Sequence, residues 1–149
     1  MKLNELSTES RLWLYQSNRK FDQTEKTWLN ERLEEFAEGW AAHGKDLKAA
    51  GEVISDCFIA LAVDGSQGDA SGCSIDTSVH FVKELGNELN VDFFDRTKVW
   101  VEEGQQFELI PFRDLKSKSG ARFLNPMLTR LGDLSDKFAV TVEEFYETV

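Results

Sequence analysis

The chain has 149 residues, a formal net charge of -10, 41% hydrophobic residues and 30% charged ones. That length suits one domain with room for a buried core. The acidic excess, with no long basic run, argues against partners that need clustered Lys and Arg, namely nucleic acid and anionic membrane surfaces. No apolar run approaches the roughly 20 residues that cross a bilayer.

Met1-Lys2-Leu3-Asn4-Glu5 is too polar and acidic for a signal peptide. Two cysteines, Cys57 and Cys73, make no disulfide framework. The expectation is a cytoplasmic protein with reduced thiols.

Residues 1–10 read as a frayed lead. Arg11 to Ser17 reads as a central strand, with Leu12 and Leu14 on one face and Trp13 and Tyr15 on the other. Asp22 and Glu25 have capping-box spacing. They open a helix whose Leu29, Leu33, Phe36 and Trp40 share one face. His43-Gly44 reads as its end, with Gly44 in the left-handed position and His43 at the negative pole of the dipole.

Residues 47–54 form a weaker strand expectation. Residues 57–63 are apolar on both faces and should be central. A Gly, Ser and Asp-rich loop over 64–72 leads into a second helix, about 74–89, with Ile75, Val79, Val82, Gly86 and Leu89 as its inner stripe. Residues 97–102 and 106–112 suggest a hairpin, with Pro111 at a strand end or edge. Asn125-Pro126 suggests a short helix through Leu131. Thr141 to Glu144 has capping-box spacing before a last helical turn near Phe145-Tyr146.

This order matches an α+β, ferredoxin-like split βαβ sandwich (βαββαβ), with an appended hairpin and C-terminal helices. The core is expected over about residues 11–112 and an extension over 113–149. Fusing residues 47–63 into one strand gives the alternative, an α/β fold with a small parallel sheet.

The segments Arg11-x-Trp13-x-Tyr15-Gln16-Ser17-Asn18-Arg19, Trp40-x-x-His43-Gly44 and Ser71-Gly72-Cys73-Ser74-Ile75-Asp76-x-Ser78-Val79-His80-Phe81 resemble a family of small bacterial proteins. That family has no known function, and its members are often labelled "ABC transporter ATPase". The resemblance spans roughly residues 10–100 and implies no activity. A phosphate-binding loop needs G-x-x-x-x-G-K-[ST] in a strand-to-helix turn. The nearest match, Gly39 to Asp46, ends in Asp46 rather than a hydroxyl and follows a helix instead of preceding one. Nucleotide hydrolysis is rejected.

Cys73 is the first candidate for chemistry. A thiol at a helix N-terminus meets the positive end of the dipole, which favours thiolate. The plainer reading makes it a small residue closing a tight loop. His80 lies about 10 Å further along the same helix, too far for a direct pair, and can meet Asp76 instead. In a split βαβ fold, His43 should come to the same end as Ser71–Asp76. Cys73, His43 and Asp76 then become candidates for nucleophile, base and orienter. In the parallel-sheet alternative, Arg19 and the N–H groups of Gly72, Cys73 and Ser74, with Ser71 beside them, would form an anion pocket.

No pair of His and Cys has structural-zinc spacing. A calcium reading of the loop from Asp64 puts Ile75 where a bidentate Glu is required. Neither a metal nor another cofactor is expected. Trp13, Tyr15 and Trp100 would form an exposed interface if nothing covers the far face of the sheet, and residues 113–149 are the candidate cover. Two function classes follow. One is a small binding protein with residues 64–76 as its ligand-facing rim, able to hold a small molecule or anion and to form a homodimer through the sheet face. The other is a cysteine-dependent enzyme for acyl, thiol or redox chemistry.

Overall fold

The computed structural model describes residues 1–147. Its first layer is an antiparallel sheet of β1 (Arg11–Gln16), β5 (Phe58–Asp64) and β4 (Lys48–Ile54), in the order β1-β5-β4. Every residue of the central β5 is buried, as its two-sided apolar composition requires. Ser55 and Asp56, at φ 52° and 61°, turn β4 into β5. Two successive left-handed residues suit the right-handed twist of a hairpin.

α1 (Gln23–Gly39) and α2 (Gly72–Leu89) cover one face of this sheet. Asp22 caps α1: its Oδ1 accepts from the Glu25 N–H at 2.8 Å, and Glu25 Oε1 accepts from the Asp22 N–H at 2.9 Å. Leu29, Leu33 and Ala37 of α1 are buried. The helix crosses β4 at Gly51, where an added Cβ would stand 3.1 Å from the Leu33 Cβ and 2.9 Å from Leu61 Cδ2. An alanine there would force Leu61 and Leu33 to shift, so glycine suits that close approach.

α1 ends at Gly39, short of the expected His43-Gly44. Trp40 turns extended and buries its ring to 2% exposure. The chain then makes a small hairpin of β2 (Ala41–Ala42) and β3 (Lys45–Asp46). His43 and Gly44, at φ 53° and 78°, are its two turn residues. Glycine does serve a left-handed position here, but in a hairpin turn rather than at a helix end.

The inner face of α2 is Ser74, Ser78, Phe81, Val82, Leu85 and Gly86. That rotates the expected stripe away from Ile75 and Val79, while Val82 and Gly86 are buried and Leu89 packs partly buried against the same core. Serine can lie inside because its hydroxyl is satisfied locally: Ser78 Oγ donates to the Ile75 carbonyl at 2.6 Å.

The second layer is a sheet of β7 (Gln106–Pro111), β6 (Lys98–Glu103), β8 (Arg122–Leu124) and β9 (Ala139–Thr141), in the order β7-β6-β8-β9. α3 (Val142–Glu147) follows. Its Glu144 N–H donates to Thr141 Oγ1 at 3.1 Å, the cap that the spacing predicts.

The α+β class therefore holds, and β1, β4 and β5 lie in the order β1-β5-β4 that a split βαβ unit gives its first three strands. The expected fourth strand, β6, does not join them and nucleates the second sheet. The parallel-sheet alternative fails, because β1 and β4 both pair antiparallel with β5. No helix forms at Asn125–Leu131. Asn125 Oδ1 accepts from the Met127 N–H at 3.0 Å, and the segment runs on to bridge β1 at Arg130.

The face assignment is also corrected. Trp13 and Tyr15 pack among the helices, while Leu12 and Leu14 join Phe58, Trp100, Leu124 and Phe138 between the two sheets. No exposed Trp13, Tyr15 and Trp100 face remains for a homodimer. The N-terminal lead is anchored rather than frayed: Leu3 and Leu6 are buried in the same cluster, and the Leu3 N–H donates to Glu52 Oε1 at 2.7 Å. Among the described residues no helix is long and apolar enough to cross a membrane.

Candidate functional site

The 64–76 loop spends most of its polar groups on itself. Asp64 is buried; its Oδ1 accepts from the Ser66 N–H at 3.0 Å, and Lys48 stands 3.5 Å from Oδ2. The hydrogen bonds from Ser66, helped by Lys48, hold its carboxyl below the usual range. Asp69 accepts from the Ala70 N–H at 2.8 Å and pairs with Arg11 at 3.3 Å. Ser71 and Ser74 cap α2 reciprocally: the Ser74 N–H donates to Ser71 Oγ at 3.1 Å and the Ser71 N–H donates to Ser74 Oγ at 2.7 Å. Of the proposed anion donors, only the Gly72 and Cys73 N–H groups stay open among the described residues.

The end of α1 does return beside the start of α2. The Trp40 indole N–H donates to the Ser74 carbonyl at 2.8 Å, and β2 lies against α2. His43 and Cys73 thus belong to one end of the molecule, each exposed. Among the described residues no hydrogen bond joins them. Asp76 faces His80 at 3.6 Å, both side chains being about 70% exposed or more, and does not orient His43.

Arg19 lies at the other end of α2. Its guanidinium donates to both carboxylate oxygens of Glu25, at 2.9 and 2.6 Å, and to the Leu89 carbonyl at 2.7 Å. Leu89 is 16 residues beyond Cys73, about 24 Å along a helix. Arg19 therefore belongs to no anion pocket with Ser71, Gly72 and Ser74. It locks the α1 N-terminus to the α2 C-terminus. The rest of its segment is structural in the same way. The Asp92 N–H donates to Asn18 Oδ1 at 3.2 Å, and the Trp100 indole donates to the Ser17 carbonyl at 2.9 Å.

The residues missed from sequence lie along the outer edge of β1. The Leu12 N–H points away from β5 and donates to the Thr129 carbonyl at 2.9 Å; the Leu131 N–H donates to the Ser10 carbonyl at 2.9 Å. Strand alternation then sends the N–H and C=O of Leu14, the Leu12 C=O and the Gln16 N–H outward too. Among the described residues none of these four groups has a partner.

They open into a small cleft, about 70 Å³ at the Gln16 end and about 130 Å³ at the Leu12 end. Arg96 and Met127 border both parts. The Gln16 carboxamide donates to the Lys98 carbonyl at 2.8 Å, and its buried Oε1 has no partner. Every other arginine among the described residues has an ion pair or an aromatic ring beneath its guanidinium. Arg96 makes no hydrogen bond or ion pair there. Met127 is 48% exposed, one of two large hydrophobic side chains that are exposed among the described residues.

The wall carrying Arg96 is braced. Asp95 Oδ1 accepts from the Thr97 N–H at 2.9 Å and from Thr97 Oγ1 at 2.5 Å, which holds the Asp95 carboxyl below its ordinary range. Phe94 meets Tyr15 edge-on at 5.5 Å. Burial pushes the Tyr15 hydroxyl up, against the opposing pull of Ser78 and the Arg96 charge.

Among the described residues no cluster of three or more His, Cys, Asp or Glu could hold a metal ion. Compared with known proteins, the chain matches no family model, no curated protein and no solved structure.

Proposed function

We propose that this protein is a small binding module whose ligand face is the cleft beside β1. One observation carries the reading: an arginine with no counter-ion, a buried carboxamide oxygen with no donor, and four open backbone groups all border the same space. Arg96 is exposed and solvated, but buried polar groups in folded proteins find partners, so the Gln16 oxygen and the strand-edge groups point to a ligand or ordered water. The 64–76 loop, with its polar groups already engaged, becomes the rim at the Arg11 end rather than the ligand face.

The test is a panel of small anions and short peptides scored by backbone amide resonances. Binding should move the Leu14, Gln16 and Arg96 amides together. A panel that leaves these three unmoved overturns the reading.

A second reading keeps cysteine chemistry at Cys73, favoured by its exposed place in the first turn of α2 beside the hairpin that bears His43. Thiol labelling of Cys73 across pH separates the two. A reactivity that rises with a midpoint well below an ordinary thiol, and that shifts in His43→Ala, favours chemistry.

A further inference from the structure

We infer that the Gln16 end of the cleft holds the head group of a small free α-amino acid, whose apolar side chain reaches into the Leu12 end. The inference rests on the binding reading above and names the ligand class.

Size restricts the ligand first. The Gln16 end offers about 70 Å³ and the Leu12 end about 130 Å³. One water needs about 10–15 Å³ of such space, so the two ends take roughly five and ten non-hydrogen atoms. That is too little for a nucleotide or a peptide strand. An ammonium and a carboxylate on one carbon fit the smaller end.

The wall chemistry points the same way, because the Gln16 end brings together groups of both signs. Leu14, Gln16, Asp95 and Arg96 all line it. A carboxylate only accepts hydrogen bonds, and it finds donors in the open Leu14 and Gln16 N–H groups and in the Arg96 guanidinium. An ammonium only donates, and it finds acceptors in the open Leu14 carbonyl, the unpaired Gln16 Oε1 and the Asp95 carboxylate. Among the described residues no ion pair joins Asp95 to Arg96, so neither charge neutralises the other. Hydrogen bonds from Thr97 keep Asp95 ionised at neutral pH. The side chain of the ligand then meets Leu12, Met127 and Leu128 at the larger end.

Net charge separates a zwitterion from a simple ion. The chain's charge of -10 opposes a free anion at long range. Arg96 opposes a free cation at contact. A molecule carrying both charges meets neither obstacle.

The probe is L-valine, titrated against the full chain by amide resonances beside the anions and peptides already named. It should move the Leu14, Gln16 and Arg96 amides along one curve, half-saturating at about 0.1–1 mM because so few atoms are in contact. L-Valinamide lacks the carboxylate and N-acetyl-L-valine lacks the ammonium, and each should bind about tenfold more weakly or worse. These two ligands are read on the unaltered chain, so the test stands even where a variant unfolds. Arg96→Gln should weaken L-valine by about tenfold and leave L-valinamide unchanged. Asp95→Asn keeps an oxygen for Thr97, and it should weaken L-valine while leaving N-acetyl-L-valine unchanged.

Equal binding of L-valine and either capped form, or unaltered L-valine binding in Arg96→Gln, overturns the inference. So does acetate that binds as tightly as L-valine, since the cleft would then be a plain anion site. If anions or peptides move the cleft amides while L-valine does not, this inference fails and the binding module stands. If nothing moves them, both fall.

Discussion

Replacing Arg19 by alanine should cost about 2–3 kcal/mol, and the loss should shrink in acid. Arg19 holds Glu25 through two hydrogen bonds and the Leu89 carbonyl through a third. The Arg19 hydrogen bond first, then the Asp22 N–H, pull the Glu25 carboxyl down to about 2 from 4.5. Taken whole, that shift is worth roughly 3 kcal/mol. Arg19 is 39% exposed and Glu25 19%, so solvent screening and the share of Asp22 leave about 1–1.5 kcal/mol for the pair. The charged bond to Leu89 adds on the order of 1 kcal/mol. The Glu25 share is complete above its unfolded value near 4.5 and is lost as pH falls through the folded value near 2. Urea unfolding of wild type, Arg19→Ala, Glu25→Gln and the double variant gives the coupling energy. It should be about 1–1.5 kcal/mol at pH 7 and less than half of that at pH 3. A coupling under about 0.3 kcal/mol at pH 7, or one unchanged at pH 3, refutes the reasoning.

Gly86→Ala should destabilise by about 2–4 kcal/mol, because its Cβ would stand 2.6 Å from the Val91 carbonyl oxygen. Gly39→Ala, with nothing within 4 Å, should be neutral or stabilise by up to about 1 kcal/mol by thermal melt. Trp40→Phe should cost about 1–2 kcal/mol, since the Ser74 carbonyl loses a buried donor, and should speed hydrogen exchange in the first turn of α2. A thiol reagent should modify Cys73 in the folded protein and Cys57 only on unfolding: Cys57 is 1% exposed, and burial pushes its thiol up to about 12.

Local rules were legible where local chemistry decides. The Asp22–Glu25 box, the Thr141 cap, the buried run of β5 and the α1 stripe through Leu29 and Leu33 all follow from spacing. Long-range choices were not. Trp40 sits on the helical stripe, yet its indole gains a buried carbonyl by leaving the helix, and His43-Gly44 becomes a hairpin turn. Ser74 and Ser78 lie inside because their hydroxyls close on nearby groups, which no apolar count reveals. β8 and β9 are three residues each, too short for alternation to register. The cleft was invisible because its contributors, Leu12, Leu14, Gln16, Arg96 and Met127, share no motif. Only the partner choice of β6 brings an open edge into being.

That choice links the fold to the proposed function. In a closed split βαβ sheet the last strand would pair with β1 and consume the Leu12, Leu14 and Gln16 groups. Here β6 stays close to β1, through the Trp100 indole on Ser17 and the Gln16 carboxamide on Lys98, but it pairs with β7 and β8. An open edge templates aggregation unless it is guarded. The Arg130 bridge closes the Arg11 end, and the Phe93–Arg96 and Pro126–Thr129 segments wall the remainder. An edge kept unpaired, yet shielded from other sheets by these segments, is the feature on which the proposed binding face rests.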